Sequence, residues 1–455
     1  MRRYLPVVPL LALAAVVCVF LSVERPQKST LGSGAAFVNQ QLSDLIVAAP
    51  INHKNLTIFP IFSKTAKTDD LYITLDDGLA AGTVEIYEVG SDGRRMRREN
   101  ANNAAPVQPA VPQANTQQPV AEQGAASNRD VQEVPFIDGP QNSAEVNRLM
   151  LVNRSGKPLY LMPGEVIVGG SQDRTIANEH IIASNDKPVS IDVFCVEHGR
   201  WGGREGEAGE TVIAGVVNAN LDVGFMQGSR TVARRDSRAL AEKANEGKFV
   251  VSVGSLNKGA RLAVQDSAEQ GKVWEEVEKT VKNVSPYLET LSLVVDTGSF
   301  TSNFVGGDVV KRLDPYLKEL GGPVAERDNI VGVVVAINGK IEAVDVFQST
   351  PLFRKLWPKL LKSYALDAAG AADEVAGKST PTTSVNDSRD FLKKSLFANV
   401  AKSETTPGGL TVTRRETDGV ISFSADFDFN IQDGGGAYGG GGIGGAVHTS
   451  GFAAP

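Results

Sequence analysis

Between Val146 and Trp201 the chain alternates apolar β-type runs with dense polar knots, and this stretch restricts the possible folds more than any other. Residues 149–152, 159–162 and 189–196 read as strands rich in branched and aromatic side chains. Between and after them lie Gly164-Glu165, then Gly169-Gly170-Ser171-Gln172-Asp173-Arg174, and finally Glu197-His198-Gly199-Arg200-Trp201. Each knot follows a strand, where chain reversal gathers side chains at one sheet edge. The spacing matches no metal, phosphate-loop or catalytic-triad pattern.

Composition bounds the alternatives. With 42% hydrophobic residues the chain can bury a sizeable core, and a formal net charge of -7 argues against a general nucleic-acid binder. The basic runs at 94–98 and 230–238 read as solvated faces. Met1-Arg2-Arg3 precedes an uncharged apolar run over 4–23, long enough for a membrane-crossing helix, with the amino end cytoplasmic by the positive-inside rule. Residues 1–27 are therefore expected to be an inner-membrane anchor that leaves the body outside the cytoplasm. A cleaved signal giving a periplasmic or secreted protein, and a lipoprotein, are the alternatives. Cys18 falls in that run, so Cys195 has no partner for an intramolecular disulfide.

The expected organisation is a first part of the main domain over 37–101, a disordered insert over 102–141, the main domain over 142–368, and a low-complexity segment over 369–455. The insert is dominated by Pro, Gln, Ala and Asn, which cannot bury enough apolar surface to offset chain entropy. Residues 37–48 have the spacing of a short helix, and 55–62 read as a strand that Pro60 places at an edge or bend. Thr74-Leu-Asp-Asp resembles a capping box within a helix over 71–79, and 83–89 reads as a strand. Residues 211–215 suggest a strand, 228–245 a polar helix, 249–264 a β-like run, and 268–287 an amphipathic helix with Val273, Trp274, Val277 and Val281 on one face. A shorter helix follows at 308–320. Asn338-Gly339 between two apolar runs predicts a type I′ hairpin; Thr350-Pro351 opens a helix reaching about 368, which Pro358 should kink. A helix over 388–400, a hairpin around 417–419, a glycine-rich stretch over 434–445 and a last short strand over 446–452 complete the chain. The fold class is α+β, with a β-rich first half and a second half of hairpin plus helices.

At Gly164-Glu165, Gly169-Gly170, Gln172-Asp173-Arg174, Cys195-Val196-Glu197 and Gly199-Arg200-Trp201 the chain resembles the bacterial ARG-and-rhodanese-phosphatase-superfamily-associated protein domain family. Asn55-Leu-Thr-Ile-Phe-Pro, residues 71–88, Val273-Trp274 and residues 331–368 support the resemblance, which runs from about 52 to 368 and extends more weakly to the terminal Val447-His448 and Phe452. It implies association with ADP-ribosylglycohydrolases and with rhodanese or phosphatase domains, and no settled activity. The insert, the apolar run and the glycine-rich stretch depart from the family pattern.

The candidate ligand-binding residues are Glu165, Gln172, Arg174, Glu197, Arg200 and Trp201. Arg174 or Arg200 would act as a fork for phosphate or carboxylate, Glu165 or Glu197 as hydroxyl acceptor or general base, and Trp201 as a stacking wall. The competing reading is a buried Glu–Arg network that fixes strand crossing. Cys195 with His198 as base suggests a nucleophile, but three positions apart on an extended chain the two side chains point to opposite faces, which favours a structural cysteine. His53, His180, His198 and His448 stand at no metal-binding spacing, and no cofactor is expected. An extracytoplasmic module binding an anionic or nucleotide-like ligand is the first expectation. A hydrolase of an ADP-ribose-like or phosphorylated substrate and a structural envelope protein are the alternatives; whether the chain is an enzyme is left open.

Overall fold

In the computed structural model the described residues are 44–88, 147–197, 237–284, 299–301, 304, 307–372, 381–406, 410–427 and 446–454. The apolar run, the insert, the 211–215 strand, the glycine-rich stretch and His198, Arg200 and Trp201 lie outside them. Among the described residues no helix is long and apolar enough to cross a membrane.

The chain is α+β. Its strands are β1 (Leu45–Val47), β2 (Ile51–His53), β3 (Leu56–Ser63), β4 (Val84–Glu88), β5 (Arg148–Asn153), β6 (Leu159–Leu161), β7 (Glu165–Gly169), β8 (Arg174–Ile176), β9 (His180–Ile182), β10 (Asn185–Cys195), β11 (Lys248–Ser255), β12 (Ile330–Ile337), β13 (Lys340–Phe347), β14 (Asn399–Thr405), β15 (Leu410–Thr417), β16 (Val420–Phe427) and β17 (Ala446–Ala453). The helices are α1 (Leu75–Ala81), α2 (Ser237–Asn245), α3 (Lys258–Leu262), α4 (Gln270–Val284), α5 (Gly307–Ala325), α6 (Thr350–Gly370) and α7 (Val385–Phe397).

Two β-systems share the core. Strands β10-β5-β4-β11-β7-β8 close into a barrel, and a nine-stranded sheet runs β1-β3-β12-β13-β17-β16-β15-β14, with β2 also on β3. The barrel interior takes alternate residues from every strand, Val84, Ile86, Leu149, Leu151, Ile167, Ile176, Ile191, Val193 and Phe249 among them, as the period of two requires. Leu75 and Leu79 of α1 and Leu159, Leu161 and Ile182 of the β6-β9 ribbon complete that cluster. Helix α6 touches both β11 of the barrel and β12 of the sheet, and nearly its whole length is buried. The other face of the sheet packs Phe391 and Leu392 of α7.

The hairpin forms as expected: Asn338 and Gly339 adopt φ of 52° and 74°, the left-handed pair of a type I′ turn. Helix α6 starts at the Thr350-Pro351 signal, capped by the Ser349 side chain, and continues through Pro358 to Gly370. The helix expected over 37–48 is a correction, because 45–47 form a strand; Leu45 and Val47 are buried and Ile46 is exposed, the alternation of an edge strand. Pro60 does not mark an edge, since β3 has partners on both sides. Its carbonyl accepts from Ala48 N at 2.9 Å, in the gap between the residues paired to β1 and those paired to β2. N–H and C=O of a strand residue point the same way, so the donor that proline lacks falls on that gap. The helix expected over 71–79 starts only at Leu75. Thr74 is its N-cap residue, but its hydroxyl bonds Asp77 Oδ2 at 3.1 Å and caps no backbone N–H.

Candidate functional site

The first polar cluster closes one end of the barrel. Arg174 stands two residues before Ile176, Cys195 two after Val193 and Glu88 two after Ile86, so all three continue the inward rows, and Arg174 pairs with Cys195 across the ladder. The reversal from β7 to β8 needs Gly169, at φ 146°, where a Cβ would stand 2.3 Å from the Lys248 carbonyl oxygen. Glu88 holds the turn, accepting from Ser171 N at 2.7 Å and Ser171 Oγ at 2.9 Å. Asp173 Oδ2 accepts from Ser299 Oγ at 3.0 Å and Thr301 Oγ1 at 2.8 Å, while its N–H donates to Glu197 Oε2 at 3.1 Å. Gln172 donates to the Glu197 carbonyl at 2.9 Å and accepts from Arg174 NH1 at 3.0 Å. Gln172, Arg174 and Glu197 are thus brought together, while Arg200 and Trp201 lie outside the described residues.

Arg174 is unusual within this group. It is 4% exposed, its contacts are the neutral oxygens of Gln172 and, at 3.5 Å, the Asp173 carbonyl, and its Nε has no hydrogen-bond partner. Among the described residues no carboxylate lies within ion-pair distance of it. Burial pushes the Cys195 thiol up, Arg174 pulls against this, and Glu88 and Glu197 add to it. Gln270 of α4 fixes the Cys195 backbone, accepting from its N–H at 2.8 Å and donating to its carbonyl at 2.9 Å.

Glu165 is not part of this group. It opens β7 at the end away from the Gly169-Gly170 turn and pairs with Lys359 of α6, which also lies 2.9 Å from Asp76 of α1. Burial alone would lower the Lys359 ammonium, but Asp76 and Glu165 outweigh it and push it up to about 12. One turn on, Lys362 has no such balance: burial pushes it down to about 8 against the pull of Asp76, and Lys359 adds to the lowering.

A third cluster, which the sequence reading missed, lies between the barrel and the sheet. The buried His448 ring on β17 stacks on Phe347 with centroids 4.3 Å apart, its Nε2 3.0 Å from Asp345 Oδ1 and its Nδ1 3.3 Å from Glu179 Oε2. Arg261 of α3 clamps Asp345 with two bonds of 3.0 and 2.6 Å, Tyr364 of α6 donates to the same carboxylate, and Tyr160 donates to Glu179. Burial would raise the Asp345 carboxyl, but Arg261 and His448 hold it well below the usual carboxylate range. Burial would likewise lower His448, but Glu179 and Asp345 push it up to about 9. Close by, burial pushes the Asp426 carboxyl up to about 6, Arg415 pulling against it and Glu179 adding to it. A signal existed in the sequence: Asp345 stands between Val344 and Val346 in an apolar hairpin strand, where a charge must find a partner. Among the described residues no three His, Cys, Asp or Glu side chains are placed to hold a metal.

His448 makes stability depend on alkaline pH. Its folded value of about 9 exceeds the ordinary 6.5, so its contribution is complete below about pH 6.5 and is lost as pH rises through 9. At about 1.4 kcal/mol for each tenfold change in proton affinity the loss approaches about 3 kcal/mol. Denaturant midpoints between pH 6 and 9.5 should fall in the parent and stay flatter in His448→Gln; equal slopes would contradict the assignment.

Residues 44–427 match the family model described as ARG and Rhodanese-Phosphatase-superfamily-associated Protein domain, ARPP-1. The chain belongs to this family. The ARPP-1 match takes in the barrel, the Arg174 group and the Asp345–Arg261 pair, and ends before the strand that carries His448. The family's description records association with ARG and with the rhodanese-phosphatase superfamily. No curated protein and no solved structure matches the chain.

Proposed function

We propose that this ARPP-1 chain is an extracytoplasmic ligand-binding module, held at the inner membrane by residues 1–27, whose anchor for an anionic ligand is Arg174. The observation that carries this reading is a guanidinium buried to 4% exposure with neutral oxygens as its contacts and a free Nε donor. A buried charge without a counter-charge is costly, and a phosphate or carboxylate would supply both the charge and the acceptors for the fork. Gln172, Asp173 and Glu197 hold Arg174 in place through bonds that leave its Nε unused. A hydrolase would need a nucleophile or base beside Arg174. Cys195 is adjacent, but burial pushes its thiol away from the thiolate that nucleophilic attack requires, and the carboxylates beside it already accept bonds within the protein, Asp173 from Ser299 and Thr301 and Glu197 from the Asp173 N–H.

Thermal melts with millimolar inorganic phosphate, ADP-ribose or a dicarboxylate test the proposal. A ligand at 100 times its Kd would stabilise by about 2.7 kcal/mol. Arg174→Lys should lose most of the shift because it loses the fork. Arg174→Met should lose all of it and yet melt no lower than the parent without ligand, since the uncompensated charge is gone. Absence of a shift in the parent with every anion, together with a marked loss of stability in Arg174→Met, would overturn the reading in favour of a structural arginine.

A further inference from the structure

The nine-stranded sheet ends in β14, and all seven residues of that strand are exposed. Beyond a register shift at Ala401, residues 402–405 of this open edge offer unused backbone donors and acceptors to another strand. Val400, 58% exposed, is the most exposed large hydrophobic residue among those described. The side chains of Asn399-Val-Ala-Lys-Ser-Glu-Thr405 carry one positive and one negative charge, Lys402 and Glu404, placed symmetrically about Ser403. In the isolated chain these two pair with each other along the strand, with Lys402 Nζ 2.5 Å from Glu404 Oε1.

We infer that β14 is a self-association edge on which a second copy of this chain pairs antiparallel about a two-fold axis through Ser403. In that register Lys402 lies directly opposite the partner's Glu404 and Glu404 opposite the partner's Lys402, so the local pair of each copy is exchanged for one across the interface, two for two, and no charge is left unmatched. The charge pattern selects the occupant, because a two-fold contact brings each residue against its mirror position and only a self-complementary sequence satisfies it. Alone, Lys402 would protect the edge by repelling another copy; Glu404 two residues on, on the same face, turns that protection into a register lock. The opposite edge offers much less: β1 has three residues.

The test uses the full chain with Ser403→Cys, which sets two thiols opposite each other on the axis. Mild oxidation with copper phenanthroline should give a dimer on a non-reducing gel, well above the background that Cys18 and Cys195 give in the parent chain. Lys402→Glu or Glu404→Lys in that background sets like charges opposite twice and should lower the yield about tenfold or more. The double exchange Lys402→Glu with Glu404→Lys restores both pairs and should restore the dimer. The residues are exposed, Ser403→Cys giving up one hydroxyl contact to Thr413 at 3.2 Å, and far-ultraviolet circular dichroism of each variant checks that the fold is kept. A yield no higher than background overturns the proposal. So does equal crosslinking in all variants.

Discussion

Replacing Asp345 by alanine costs about 3–5 kcal/mol, the penalty for leaving a buried charge without its partner. Arg261 is 1% exposed, gives both terminal nitrogens to Asp345, and already has an Nε without a partner, so the variant strands the whole guanidinium in the core. It also removes the acceptor of the Tyr364 hydroxyl and one of the two carboxylates that keep His448 charged. Against a typical total of about 5–15 kcal/mol, such a loss is a large share of the stability. Urea denaturation measures it. The double variant Arg261→Met with Asp345→Leu separates the cost of a broken pair from the worth of an intact one, and should be markedly more stable than Asp345→Ala. If Asp345→Ala unfolds at the parent's midpoint, the pair is not the constraint its geometry implies.

Ending the chain after Gly445 should abolish the native sheet. The lost strand, β17, is hydrogen-bonded to β13 on one side and β16 on the other, so its removal splits the sheet into two pieces. It also removes Val447 and Phe452, both fully buried, worth about 1.5–3 kcal/mol each by burial alone, together with His448 and its two carboxylate contacts. The expected outcome is a chain that misfolds or is digested at protease concentrations the parent survives. A synthetic peptide of residues 446–454 added in trans should bind and restore protection. A truncated chain that melts at the parent's temperature would refute the central place of β17.

Elements with local causes were legible in the sequence. Asn338-Gly339 announces its hairpin because the left-handed backbone it needs is a property of those two residues. Thr350-Pro351 announces the start of α6 in the same way, and the structure adds the Ser349 cap. The strand at 446–452 was legible as a strand, but its place in the sheet was not, since alternation describes one strand and never its neighbours. The expected helix over 37–48 failed where short apolar runs are ambiguous between periods.

The site divides along the same line. Gln172, Arg174 and Glu197 were found together because β8 and β10 pair within a short stretch of chain, Cys195 opposite Arg174, with Gln172 just before β8 and Glu197 just after β10. Glu165, in the same stretch, was grouped with them, but its partner Lys359 is 194 residues away. Arg261 and His448 reach Asp345 from 84 and 103 residues away. Local backbone preference and burial pattern are written in neighbouring residues, so the sequence specified the α+β class, the hairpins and the Gly169-Gly170 turn that holds Arg174. Which charge neutralises which depends on desolvation and distance in the packed core, where α6 and the β17 strand bring together groups that no spacing rule connects.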